Sequence, residues 1–161
     1  MKRQTFQTID HRKLIITDNI VEKLFDYRQT EIEHREAGGL LIGRHLLEER
    51  HFVVDHITEP SWLDKRLPTF FFRSNRHNKI LKKIWKKSDS TQTLIGLWHT
   101  HPEPVPTPSS VDYNDWKSTL RYGDFAGEHL FFMIVGTMKS SVWQGDRSSN
   151  FTKLIEIINT D

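Results

Sequence analysis

Two imidazoles, a hydroxyl and a carboxylate fall within fourteen residues, in Leu97-Trp98-His99-Thr100-His101-Pro102 and Ser109-Ser110-Val111-Asp112. A catalytic zinc typically takes three N or O protein ligands and keeps a fourth position open for water. His99, His101 and Asp112 are the candidates for those three. Such a site makes hydroxide at neutral pH, so the expected chemistry is hydrolysis. Each piece alone has an ordinary explanation. A His-x-His occurs on many strands that bind nothing, and Ser109-x-x-Asp112 is a capping-box pattern that opens many helices. The combination of strand, stiff loop and helix start, in that order, favours a metal.

The elements that must position these groups can be read from patterning. Thr93 to His101 reads as a strand, and alternation sends His99 and His101 to one face together with Ile95 and Leu97. Leu94, Trp98 and Thr100 are expected on the other face. Pro102, Pro104, Pro106 and Pro108 prevent regular pairing and leave an extended, stiff connection. A helix is expected from near Ser109 to before Gly123, with Asp112 at about its third position. There the positive helix end helps keep a carboxylate ionised. Two imidazoles and one carboxylate, without sulfur, suit zinc better than calcium or magnesium.

Elsewhere, Arg12–Thr17 reads as a strand, and Asp18 as the cap of a helix from Asn19 to about Glu33, striped by Ile20, Leu24 and Tyr27. Gly39–Gly43 reads as a buried strand continuing towards Leu47, with His51–Ile57 its antiparallel partner across a turn at Glu48-Glu49-Arg50. Pro60–Pro68 is loop-like, and Phe70–Phe72 is a short strand or a packing cluster. A basic amphipathic helix spans about Asn75–Lys87. His129–Thr137 and Ser140–Gly145 form the arms of a hairpin, and Phe151–Ile158 is either a strand or a short helix. The expected class is α/β in the α+β sense: one domain over residues 1–161, with helices flanking a mixed, mostly antiparallel sheet.

Composition narrows the function. With no cysteine among 161 residues, thiolate metal sites, cysteine nucleophiles and the cysteine-ligated zinc of nucleobase deaminases are excluded. MKRQTFQTID has no apolar core of a secretion signal, and the apolar stretches near Leu40 and Phe131 are too short to cross a bilayer; a cytoplasmic location without a membrane partner is expected. The net charge of +2 says little about partners. Arg73, Arg76, Lys79, Lys82, Lys83, Lys86 and Lys87 cluster, but Ile80, Leu81, Ile84 and Trp85 recur at helical spacing among them. The cations are therefore read as the wet face of a helix, not as a nucleic-acid site.

The residues resemble a family. His99-Thr100-His101, seven residues, then Ser109-x-x-Asp112 is similar to the core of the JAB/MPN (JAMM) metallopeptidases. Their pattern also includes a distant glutamate ahead of a Gly-Leu-rich strand, and Glu36-Ala37-Gly38-Gly39-Leu40-Leu41-Ile42-Gly43 fits it. The likeness runs from about Leu14 to Phe132. It implies an MPN/JAB-like fold, a zinc ion on His99, His101 and Asp112, Glu36 as the general base and then acid, and Ser109 as donor to the oxyanion.

Family members hydrolyse isopeptide or peptide bonds after the C-terminal tail of ubiquitin or a ubiquitin-like protein. The Glu-Ala-Gly-Gly-Leu-Leu-Ile-Gly and Gly-Leu-Trp-His-Thr-His-Pro-Glu strings resemble the stand-alone JAB peptidases of anti-phage CBASS operons. Those enzymes act on conjugates of a cyclic-nucleotide synthase, which would then be the partner. Processing of another ubiquitin-like or sulfur-carrier protein, or a non-catalytic MPN binding module, are the alternatives. By position, Pro60–Phe72 and Tyr113–Gly127 match the family's substrate-contacting insertions; Trp62, Trp116 and Tyr122 are candidate contacts, with core packing the simpler role for Trp116.

Overall fold

The computed structural model describes residues 2–158. The chain begins with a short hairpin, β1 (Gln4–Gln7) and β2 (Lys13–Ile16). β2 lies within the strand expected from sequence, whereas β1 is an addition. Four residues with one buried pair, Thr5 and Phe6, carry too little alternation to be recognised.

Helix α1 (Asp18–Asp26) follows, and it is shorter than its periodicity predicted. Its N-cap is Thr17, with Asp18 the first helical residue. Ile20, Val21, Leu24 and Phe25 bury its inner face. Past Tyr27 the polar groups find tertiary partners that a continuing helix could not reach. The Gln29 amide donates to the carbonyls of His34 and Pro68, and its Oε1 accepts from Thr100 Oγ1 at 2.8 Å.

Strands β3 (Gly38–Leu46) and β4 (His51–Ile57) form the expected antiparallel hairpin. β5 (Lys65–Arg66), within the segment read as a loop, pairs with β6 (Phe71–Phe72), at the place where a short strand or a packing cluster is expected, as a separate two-stranded ribbon. Helix α2 (Arg76–Lys87) is the basic helix. β7 (Thr93–Thr100) leads through the proline loop to α3 (Ser110–Tyr122). β8 (His129–Val135) and β9 (Ser140–Asp146) form the second hairpin. The final segment is extended, as β10 (Phe151–Lys153) and β11 (Ile155–Glu156).

The main sheet has the order β10-β9-β8-β7-β3-β4-β2-β1-β11. Among the described residues only the β2–β4 and β7–β8 pairs are parallel, so the architecture is α+β with a mostly antiparallel sheet, flanked there by three helices. The sheet curls until its two ends are bridged by one strip of chain. β10 pairs with β9 at one end and β11 with β1 at the other, with the Leu154 amide donating to Val142 at 2.8 Å between them.

Two apolar layers result. One packs α1 against Leu14, Leu41, Val54, Trp98 and Phe131. The other packs α3, with part of α2, against Leu40, Leu97, Leu130, Phe132 and Ile134. Trp116 lies in the second layer, stacked on Phe132 with 4.8 Å between ring centroids.

A bulge in β7 corrects the expected alternation. Leu41 pairs with Gly96 but Ile42 pairs with Leu94, so Ile95 is an extra residue in the ladder. Ile95 therefore faces the α1 layer with Trp98, and Leu94 joins Leu97 on the α3 side. A bulge inserts one unpaired residue and shifts the pleat by one. The pleat is regular again beyond Gly96, so His99 remains on the side of Leu97. Gly96 permits the close pairing with β8: a Cβ there would lie 1.6 Å from the Phe131 carbonyl oxygen.

Candidate metal centre

His99 is buried one residue before the end of β7, and His101 follows just past the strand, its amide donating to the Val135 carbonyl of β8 at 3.0 Å. Thr100, between them, faces the other way. It accepts from the Ala37 amide at 3.0 Å, and its own amide donates to the Ala37 carbonyl. This clasp draws the chain ahead of β3 against the end of β7, and Glu36 with it. The Glu36 main chain is held on its other side by the β5 region, donating to the Leu67 carbonyl and accepting from Arg66 Nε at 3.0 Å.

Asp112 arrives from the first turn of α3. Ser109 is the N-cap and its Oγ accepts from the Asp112 amide at 3.1 Å; Asp112 Oδ2 accepts from the Ser109 amide at 2.8 Å. The capping box read from sequence is present, and it aims the carboxylate. Because Ser109 Oγ serves as the cap's acceptor, its O–H proton remains available to donate elsewhere. The loop before it is pinned to the β8–β9 turn, with Thr137 donating to Glu103 and Met138 and Lys139 to Pro104.

These four side chains converge, all buried, with ligand atoms within 4.8 Å of one another. His99 Nε2 is 3.1 Å from Asp112 Oδ1, His101 Nε2 is 3.1 Å from Asp112 Oδ2, and the two Nε2 atoms are 3.2 Å apart. Glu36 Oε1 lies 3.7 Å from His99 Nε2. Ligand atoms on a tetrahedral ion at about 2.0–2.1 Å are separated by roughly 3.3 Å, so the spacing fits such an ion. The donor types fit as well, because two imidazoles with a carboxylate suit a divalent transition ion.

The electrostatics are those of a site short of positive charge. Both Glu36 carboxylate oxygens are buried without a hydrogen-bond partner. Burial pushes the Glu36 carboxyl up to about 8, against the pull of His101 and with the push of Asp112. Burial also lowers His99. It works the same way on His101, but the Asp112 and Glu36 carboxylates outweigh it and hold His101 above its usual value. Asp112 is held well below the carboxylate range: its hydrogen bonds to His101 and His99 overcome the burial.

Residues 18–148 match the family of prokaryotic homologs of the JAB domain. The chain belongs to that family. Curated relatives of this JAB domain include a CD-NTase/cGAS isopeptidase from Escherichia coli (strain TW11681), 33% identical over 89% of this chain and 87% of that protein. One of the same name from Pseudomonas aeruginosa (strain BWHPSA011 / Pa011) is 35% identical over 66% of this chain and 68% of its own length. Among solved structures, a Desulfitobacterium hafniense protein shares the fold at a TM-score of 0.61, with 20% identity over 86% of this chain and 87% of that one.

Around the cluster of this JAB domain, several residues act that sequence patterning did not single out. Glu103 Oε1 lies 3.0 Å from His101 Nδ1. Asp115 takes a bidentate contact from Arg73 at 3.0 and 3.1 Å. Asp64, buried, accepts from the Ser61 and Ser74 amides and lies 2.8 Å from His77 Nε2. His77 Nδ1 in turn meets Thr58 Oγ1 at 2.6 Å, tying α2 and the β5–β6 segment to the sheet. Only the glutamate two residues after His101 had a local signal; the others depend on long-range contacts.

A groove runs between α2 and α3, and its lining includes Leu97, Val111 and Asp115. Trp62 and Tyr122 are exposed, at 88% and 75%, and free to contact another molecule, whereas Trp116 is core. No helix of the described residues is long and apolar enough to cross a membrane.

Proposed function

We propose that this JAB domain is a zinc-dependent isopeptidase or peptidase that cuts after the C-terminal tail of a conjugated protein. The observation that carries the reading is Glu36: a buried carboxylate with both oxygens unpartnered, 3.7 Å from His99 Nε2. A buried charge is tolerated only where something compensates it, and an adjacent cation with a reacting water would do so. His99, His101 and Asp112 would hold the zinc. When bound, it supplies Lewis-acid polarisation of the scissile carbonyl and acidifies water towards neutrality.

The chain's own groups would do the rest. Glu36 takes the proton from the attacking water and later delivers it to the leaving amine. Ser109, its oxygen accepting from the helix and its proton free, donates to the developing oxyanion. Thr100, the Arg66 side chain and the Leu67 carbonyl hold Glu36 in reach.

For the substrate, the names carried by the Escherichia coli and Pseudomonas aeruginosa relatives favour a cyclic-nucleotide synthase of the CD-NTase class, and hence a part in anti-phage defence. The test uses the zinc-loaded full chain and its cognate synthase fused to a short C-terminal extension. A single cut at the synthase terminus is expected, and none with Glu36→Ala that still binds zinc. An uncut fusion with zinc bound refutes the synthase as substrate. Cutting by Glu36→Ala at the normal rate refutes the mechanism.

A further inference from the structure

We propose that Glu103 is a positioning residue, which holds His101 in the tautomer and ring orientation that presents Nε2 to the metal. This rests on the metallohydrolase reading and adds to it a residue outside the ligand set. His101 Nδ1 is 3.0 Å from Glu103 Oε1, while Nε2 of the same ring points into the cluster, 3.2 Å from His99 Nε2. A carboxylate only accepts when ionised, so the proton of a neutral His101 belongs on Nδ1. The lone pair then belongs on Nε2, where an ion would sit.

Glu103 is itself fixed at both ends. Its carbonyl accepts from the Thr137 amide at 2.8 Å, which anchors the main chain to the β8–β9 turn. Its other carboxylate oxygen, Oε2, accepts from Thr107 Oγ1 at 3.2 Å. Pro102 and Pro104 on either side restrict the backbone between these anchors. The proline loop thus does more than space Ser109 from His101. It carries an acceptor back to the ring that the strand has just delivered.

A surface glutamate with no role would be free to swing, yet this one, though its side chain is 44% exposed, is held by both carboxylate oxygens, one on the His101 ring and one on Thr107 four positions on. Such outer carboxylates commonly contribute 10–100-fold to metal affinity.

The test measures zinc affinity of the full chain by competition with a chromophoric chelator, together with the visible spectrum of the cobalt-loaded protein. Glu103→Ala should weaken zinc 10–100-fold and alter the cobalt bands. Glu103→Gln keeps an acceptor oxygen and should recover much of the loss, and Thr107→Val should fall between. Nitrogen NMR of the zinc-loaded wild type should show His101 protonated at Nδ1 and metal-bound through Nε2; this reading stands even if Glu103→Ala does not fold. Metal on Nδ1, or wild-type affinity and spectrum in Glu103→Ala, overturns the proposal while leaving the metallohydrolase intact. A wild-type chain that binds neither zinc nor cobalt overturns both.

Discussion

Gly38 pairs with His99 across the β3–β7 ladder, and this register carries Glu36, two residues upstream, to within 3.7 Å of the His99 ring. Glycine is needed at Gly38 because a Cβ there would meet Phe71 at 2.6 Å and the Trp98 carbonyl at 2.8 Å. Glu36 and the strand that carries His99 are therefore brought together by backbone pairing. Side-chain attraction between them is not required.

Replacing Glu36 should separate binding from chemistry. Glu36→Gln is expected to retain zinc while cleavage falls roughly 10²–10⁴-fold, the usual contribution of a general base. Metal content by atomic emission, measured beside the cleavage rate, checks this. Loss of both together would make Glu36 a ligand.

Ser109 caps α3, and different substitutions can part this from the proposed oxyanion role. Ser109→Gly should cost the α3 cap only a few tenths of a kcal/mol. It should also lower the cleavage rate about 10²–10³-fold by removing the oxyanion donor. Ser109→Thr keeps both functions. A thermal melt and a rate for each variant distinguish the roles; full activity in the glycine variant leaves the serine a cap alone.

Zinc should stabilise the fold by mass action. At free zinc 100 times its dissociation constant the gain is about 2.7 kcal/mol, seen as a rise in Tm that a chelator reverses. His99→Ala should not respond to zinc in the same titration. An equal rise in that variant would locate the effect elsewhere.

Acid sensitivity should arise partly at Asp64. Burial raises its pKa, but hydrogen bonds from the Ser61 amide, His77 and the Ser74 amide win, leaving it below the ordinary value of 3.8. A depressed folded pKa contributes stability that is present above the unfolded value and lost as pH falls through the folded one. Asp64→Asn should therefore destabilise near neutrality, by roughly 1.5–3 kcal/mol for weakened hydrogen bonds to a charged group. The gap to wild type should narrow below about pH 4. Denaturant melts at neutral and acid pH give both numbers, and a gap independent of pH would remove Asp64 from the account.

Some of this protein is written locally and could be read without coordinates. The α3 cap follows from Ser109 and Asp112 three residues apart, because both partners lie within one turn. The β3–β4 and β8–β9 hairpins follow from apolar runs joined by short polar turns. α1 was misjudged because its stripe of apolar positions is compatible with a longer helix; the side-chain contacts that end it, from Gln29 to Thr100 and Pro68, span tens of residues. The β7 bulge was invisible for a related reason. An extra residue is recognisable only against the partner strand that skips it.

The sequence by itself determined the donor types, their spacing after the strand and the helix end that presents Asp112, since each depends on covalent distance and short-range hydrogen bonding. Tertiary structure alone decided how Glu36 reaches His99, 63 positions further along the chain, which side of the bulge faces α3, and how Glu103 turns back onto His101. Those depend on which distant backbone groups pair. Pairing is chosen by the whole packed sheet, because every buried amide and carbonyl must find a partner at once.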